Sequence, residues 1–316
     1  MKTYSVVFVG TGIFGVKTLE ALAGNKRFEI PFVITGNDKK SGRGMVLTPS
    51  PVKKAVQETA TLNKLFIQQP GRIRNLKQKL IHTAPDFILV VSYGEIIKKD
   101  ILAIPRIGCI NIHPSLLPKY RGASPVQETI LSGDDRTGIT WILMDERMDA
   151  GRVISQKPVA ISGDENTIEL AEKLSGAAAS GTADALINFA GHGKSFLQDE
   201  TQATYCKKIA KSDGLLDFKV ETAVQMTRKI RAYTPWPGCY FVWNEKRIKI
   251  IQAVAVEQKI SSGGPTVGEI RADKGKLLIG TLSGALDVIT VQPESKKPMP
   301  AAEFIKGIKG TLGNLN

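Results

Sequence analysis

The chain has 316 residues, 42% of them hydrophobic, enough for two domains that each bury a core. Its three cysteines, Cys109, Cys206 and Cys239, are odd in number and far apart, which excludes a disulfide framework and a CxxC metal site, and no apolar run is long enough to cross a bilayer. A net charge of +13 marks either an anionic partner or a heavily solvated surface.

In chain order, YSVVFV (4–9), FEIPFVIT (28–35), DFILVV (86–91) and IGCINI (107–112) are β-rich runs bounded by Gly, Pro or charged turns. Helical patterns lie between them at 18–23, 50–60 and 72–82, the second announced by Ser50 at the N-cap and Pro51 at the first helical position. TGITWILM (137–144) and RVISQKPVAI (152–161) extend the sheet, and an Ala-rich helix over 167–189 closes it. The alternation predicts an α/β domain over 1–190 with a doubly wound, mostly parallel sheet. Periodicity is lost after 190, which places a linker at 191–208. Beyond it, over 209–316, a short helix at 220–231 precedes five strand-like runs, CYFVW, RIKIIQAVAV, TVGEIRA, KLLIGT and ALDVITVQ, the pattern of a small antiparallel OB-like β-barrel.

The positive charge is concentrated. Residues 39–81 hold ten Lys or Arg against the single acid Glu58, and residues 206–316 hold eighteen against ten acids. Two separated basic regions suit a polyanion that spans both domains better than a small phosphate ligand.

Gly10-Thr11-Gly12-Ile13-Phe14-Gly15 matches GxGxxG after the first strand, which leaves an NAD(P)-dependent oxidoreductase open. The acid that would hold a ribose is not convincing, since only Asp38 follows the second strand and it lies in a basic loop. A strand turning sharply into a packed helix produces the same glycines.

More chemistry is carried by GCINIHPSLLPKYRGA, residues 108–123, at the end of an apolar strand, where open α/β sheets place ligands. Asn111 and His113 are two apart and share a face of that strand, and an amide donor beside an imidazole suits a developing oxyanion on an acyl carbon. The alternative is a structural histidine with Asn111 capping a turn. Further on, MDERMDAG places Asp145, Glu146 and Asp149 beyond another apolar strand, where a carboxylate could orient the imidazole and help accept a proton. His82, His113 and His192 lack metal-ligand spacing, and no serine or cysteine sits in a nucleophile elbow, so direct transfer without metal or covalent intermediate is the simplest chemistry.

Asn111-Ile112-His113-Pro114-Ser115-Leu116-Leu117-Pro118, with Asp149 downstream, resembles the signature of the 10-formyltetrahydrofolate-dependent formyltransferases. The resemblance implies a Rossmann-like formyltransferase domain with Asn111 as oxyanion partner, His113 as electrostatic and proton-handling group, and Asp149 as its orienter and base. It further implies that Ser115, Leu116, Leu117 and Pro118 contact the folate and that residues 90–97, VVSYGEII, wall the pterin pocket. KKSGRGMVLTPSPVKK, residues 39–54, is similar to the basic loop by which the methionyl-tRNA branch of that family enters the acceptor stem, which implies that Lys39, Lys40 and Arg43 contact tRNA. The similarity continues through RAYTPWPG, residues 231–238, and the carboxy-terminal strands, whereas a glycinamide ribonucleotide enzyme would end near the linker. Pro114, familiar in the glycinamide ribonucleotide branch, keeps that other amine as an alternative acceptor. Together these imply formyl transfer from 10-formyltetrahydrofolate, as co-substrate, to the α-amino group of initiator methionyl-tRNA by direct attack through a tetrahedral intermediate. The expected setting is the bacterial cytoplasm, with tRNA and folate as partners, no membrane, and a monomeric chain.

Overall fold

Phe87–Val91 consists of five apolar residues, all buried, as a central parallel strand covered on both faces requires. It runs parallel to Tyr4–Gly10 on one side and to Gly108–His113 on the other. From edge to edge the sheet reads Ile67–Gln68, Val33–Ile34, Tyr4–Gly10, Phe87–Val91, Gly108–His113, Arg136–Leu143 and Arg152–Ala160, with Phe28–Glu29 pairing off this path. The first five are parallel, and the last two are antiparallel to their neighbours. Pro158 is tolerated because Arg152–Ala160 lies at the edge, where a missing N–H breaks no central ladder.

The structure, a computed structural model, describes residues 2–41, 44–257 and 264–307. The chain divides into two compact units, one comprising Met1–Pro125, Arg136–Ala160 and Ala171–Cys206, the other Val126–Asp135, Ile161–Leu170 and Lys207–Asn316. Residues 191–206, read from composition as linker, thus pack within the first unit.

In that unit the helix Pro51–Glu58 starts as the sequence predicts, with Ser50 Oγ accepting from the Lys53 N–H at 3.1 Å and Pro51 filling the first turn. The run FEIPFVIT is not one strand. It splits into Phe28–Glu29 and Val33–Ile34, because Pro31 offers no N–H to a ladder. Ile67–Gln68, too short to show alternation, was not among the predicted strands. Trp141, 1% exposed, lies in the core and donates from Nε1 to Thr182 Oγ1 at 3.0 Å, so the small residues of the helix Thr167–His192 make room for an indole.

The second unit is built on antiparallel strands in the order Cys239–Trp243, Lys246–Val256, Ala285–Pro293, Lys276–Gly280 and Ile270–Asp273, with Met299–Pro300 beside Ala285–Pro293. The predicted barrel strands therefore exist as an antiparallel sheet, although TVGEIRA becomes a strand only from Ile270 onward. The helix Ala223–Ala232 opens with a capping box in which Thr222 and Gln225 exchange side-chain and backbone bonds at 2.8 and 3.2 Å. Phe218 meets Phe241 edge to face at 5.7 Å in the core. No helix among the described residues is long and apolar enough to cross a membrane.

Candidate active site

The carboxyl ends of the parallel strands Phe87–Val91 and Gly108–His113 open into a cavity of about 540 Å³. Its walls come from four segments: Val90 and 92–97 after the first strand, 111–114 at the end of the second, Gly122, Ala123 and Pro125 just beyond, and Ile142 with 144–149 beyond the antiparallel neighbour. Val90, Ile97, Ile112, Ile142 and Met144 supply the apolar surface, and Ser92, Asn111, His113 and Asp149 supply polar groups. Size and composition are those of a site for an extended organic molecule. A hollow of about 160 Å³ in the second unit, lined by Arg247, Lys249, Gln292 and Glu294 among others, has no histidine among its lining residues.

Asn111 and His113 lie on one face of Gly108–His113, held in register by Ile142 and Thr140 of the antiparallel strand. Asn111 Nδ2 donates to Asp149 Oδ1 at 3.3 Å, and the Gly122 N–H donates to Asp149 Oδ2 at 2.9 Å. His113 Nδ1 stands 3.6 Å from Asp149 Oδ2, beyond hydrogen-bonding distance. Its Nε2 faces the Tyr120 carbonyl oxygen at 2.9 Å. That oxygen can only accept, so Nε2 carries a proton and Nδ1, turned toward the carboxylate, is the ring nitrogen with a free lone pair. The imidazole is 4% exposed, so charge placed on it is screened little by water.

Asp149 itself has a φ of 52°, in the left-handed region that a residue with a side chain seldom occupies. The Asp149 carbonyl accepts from Gln198 Nε2 at 2.8 Å. Neither this strained geometry nor the role of Gln198 is legible in the sequence, since Gln198 lies some fifty residues downstream in a stretch of low periodicity.

The other residues singled out in the sequence fall in different places. Ser92, Tyr93, Glu95 and Ile97, within the run VVSYGEII, do line the cavity. Ser115, Leu116, Leu117 and Pro118 are not among the lining residues. Ser115 is fully buried and donates to the Lys119 carbonyl at 2.6 Å, and the Leu117 N–H donates to Thr140 Oγ1 at 3.1 Å. These side chains fold the turn that carries Tyr120 back to His113. Pro114, directly before them, does face the cavity.

Lys39 and Lys40 are exposed on a two-stranded ribbon in which Lys39–Ser41 pairs with Val46–Thr48. Arg43 lies outside the described residues. In the first loop, a Cβ on Gly10 would stand 2.9 Å from the Val91 carbonyl oxygen, so this glycine serves close packing of backbone on backbone. Asp38 is taken by Lys53 Nζ at 2.8 Å and by Gln69 Nε2 at 2.8 Å, and the Lys53 bond foremost holds its carboxyl below the usual range. A ribose-binding acid in a dinucleotide site would not be committed to such partners, and the oxidoreductase alternative is not favoured.

Comparison with known proteins follows the same lines. The Formyl transferase family profile matches residues 3–186, and that of the Formyl transferase C-terminal domain matches residues 208–309. A methionyl-tRNA formyltransferase of Roseiflexus sp. (strain RS-1) is 36% identical over 307 residues, covering 96% of this chain and 92% of the relative. One from Syntrophomonas wolfei is 37% identical over 311 residues, covering 96% and 95%. Among solved structures, WlaRD, a sugar 3N-formyl transferase, superimposes with a TM-score of 0.66 at 19% identity, covering 94% of this chain and all of that one. HypX from Aquifex aeolicus, in complex with tetrahydrofolic acid, gives 0.62 at 17% identity, covering 98% of this chain and 49% of its own.

Proposed function

Because the chain belongs to the formyl transferase family, we propose that it moves the formyl group of 10-formyltetrahydrofolate onto the α-amino group of methionine carried by initiator tRNA. The observation that carries the chemistry is the convergence of Asn111, His113 and Asp149 on one cavity at the strand ends. The acceptor is read from similarity that runs over nearly the whole chain, at 36–37% identity, to enzymes named for methionyl-tRNA.

The cavity residues fit an elongated heteroaromatic donor: apolar side chains such as Val90, Ile97 and Ile142 would flank a planar ring, and Ser92, Asn111 and Asp149 are among the polar residues of the lining. The donor, when bound, supplies an activated formyl carbonyl. Asn111 commits one amide hydrogen to Asp149 and turns the other to the oxygen on which charge develops. His113 Nδ1 takes the proton released by the attacking amine, the imidazolium so formed is stabilised across the short gap by the Asp149 carboxylate, and that proton would pass on to the donor nitrogen that departs as its bond to the formyl carbon breaks. A protonated Nδ1 can close that gap into a charge-assisted bond. Folate contacts are assigned to the cavity walls, with Ser115, Leu116, Leu117 and Pro118 supporting Tyr120 and His113 from behind.

Residues 1–190 form the catalytic domain in this reading, and 209–316 form an OB-like tRNA-binding domain whose lysines and arginines hold the phosphate backbone. Lys39, Lys40 and Arg43 add contacts near the acceptor end. The exposed lysine ribbon supports this, since phosphate contacts call for long cations with open approach.

The decisive experiment offers the enzyme 10-formyltetrahydrofolate with charged initiator methionyl-tRNA and glycinamide ribonucleotide as competing acceptors. Formyl product on the tRNA alone is expected. Product on the ribonucleotide, or hydrolysis without transfer, would overturn the choice of acceptor while leaving the family intact.

A further inference from the structure

We propose that Gln198 is a positioning residue for formyl transfer, holding the Asp149 turn in its strained conformation through the backbone rather than through the carboxylate. The inference rests on the reading of Asp149 as part of the reacting site. It comes from the part of the chain that composition marks as connective and that instead binds across both loops of that site.

The Gln198 side chain is 9% exposed and uses its full bonding capacity. Nε2 donates to the Asp149 carbonyl oxygen at 2.8 Å and to the Gly151 carbonyl oxygen at 2.8 Å, bracketing Ala150. Oε1 accepts from Arg121 Nε at 3.0 Å and Nη2 at 2.8 Å. A guanidinium only donates and a carbonyl only accepts, so the amide has one workable orientation. Two clamped carbonyls, one on each side of Ala150, fix the direction of the peptide planes that follow Asp149. This opposes relaxation of its φ of 52° toward the ordinary regions.

Arg121 anchors the clamp. It is 1% exposed, and its guanidinium donates to both oxygens of Glu200 at 2.8 and 3.1 Å. The segment bearing Gln198 and Glu200 is itself pinned at both ends by backbone bonds, Val153 with Phe196 in a reciprocal pair at 2.9 Å and the Arg121 N–H to the Thr204 carbonyl at 2.9 Å. Gly122, next to Arg121, gives its N–H to Asp149 Oδ2. The dipeptide Arg121-Gly122 therefore reaches Asp149 twice, at its carboxylate directly and at its carbonyl through Gln198.

The test compares Gln198→Leu, Gln198→Glu and Asp149→Asn in the full-length protein, together with the double variant Gln198→Leu/Asp149→Asn. Gln198→Leu keeps the volume and removes both donors. It is expected to lower kcat by about 10 to 10²-fold, the range for a misplaced reacting group, with little change in KM for the formyl donor. In the Asp149→Asn background the same change adds no further loss, because a residue acting through Asp149 has nothing left to position. Should Gln198→Leu not fold, Gln198→Glu serves: its carboxylate opposes two carbonyls, and kcat recovers in part as falling pH restores a donor hydrogen. Wild-type kcat in a folded Gln198 variant, losses that multiply in the double variant, or no such recovery overturns the proposal. If Asp149→Asn keeps full activity, the reading of the site fails instead.

Discussion

Gly122 and Asp149 are joined by a bond from backbone to carboxylate: the glycine N–H donates to Oδ2 at 2.9 Å, while Oδ1 accepts from Asn111 at 3.3 Å. Gly122 holds a φ of 118°, and a Cβ there would collide with the Cys206 carbonyl oxygen. Gly122→Ala must therefore shift the Arg121–Gly122 strand off Tyr205–Cys206 and take the N–H away from Asp149. A fall in kcat on the order of 10²-fold is expected. Steady-state kinetics with tRNA saturating would check it, and kcat within twofold of wild type would count against any role for that N–H.

Asn111 and His113 lie on one strand face, and in the proposed reaction the first stabilises the oxyanion and the second accepts the amine proton, so each substitution to Ala removes one of these contributions. Asn111→Ala is expected to reduce single-turnover rates by roughly 10² to 10³-fold, the usual cost of one oxyanion donor, and His113→Ala by roughly 10² to 10⁴-fold, the range for loss of a positioned base. Near-wild-type rates in either variant would sink the mechanism.

Trp141 and Gly181 give a prediction about stability. A Cβ on Gly181 would stand 2.6 Å from Trp141 Cη2, and the indole is tied to Thr182, so it has nowhere to retreat. Overpacking of this kind costs about 1 to 3 kcal/mol, which outweighs the gain of up to about 1 kcal/mol from replacing glycine in a helix. Gly181→Ala should lower Tm. Gly176→Ala, on the same helix with no neighbour within 4 Å of its Cβ, should raise it. Thermal unfolding of the two variants side by side decides the matter, and the same sign for both would refute it.

Glu200 links acidity to the strap across the site. The bond from Arg121, foremost, holds its carboxyl below the usual glutamate value of 4.5. A carboxylate with a lowered folded-state value contributes stability that is complete above the unfolded value and is lost as pH falls through the folded one. Glu200→Gln should therefore lower Tm slightly above pH 4.5, slightly because this side chain is half exposed, and that deficit should vanish as pH falls below it, which flattens the acid limb of the Tm-against-pH curve. An unchanged acid limb would show that the pair adds nothing to folding.

Lys39 and Lys40 are exposed on the ribbon, and the contact proposed for them is with the tRNA backbone. Lys39→Ala and Lys40→Ala should raise KM for tRNA and leave KM for the formyl donor unchanged. Each should also reduce the salt dependence of tRNA binding by about one unit of log–log slope. Binding isotherms across a salt series test this, and equal losses for both substrates would place the ribbon's effect elsewhere.

Sequence alone determined the long elements and the shared strand face of Asn111 and His113. Uninterrupted apolar runs such as FILVV specify buried parallel strands, Ser50-Pro51 specifies a helix start, and a spacing of two puts Asn111 and His113 on one face. These are local properties of backbone geometry and side-chain period, and they survive being read one residue after another. Pairing was different. That the turn at Asp149 meets that face depends on Arg136–Leu143 running antiparallel beside Gly108–His113, which no local pattern states. Likewise only the folded chain shows that Ser115 and Leu117 turn inward and leave the cavity wall to their neighbours. The clearest case is Gln198. It sits in a polar, aperiodic stretch that looks connective, yet it satisfies two carbonyls and a guanidinium from segments some fifty and eighty residues away. Hydrogen bonds between distant segments leave no periodic trace, because they are fixed by where the chain returns rather than by what lies beside each residue.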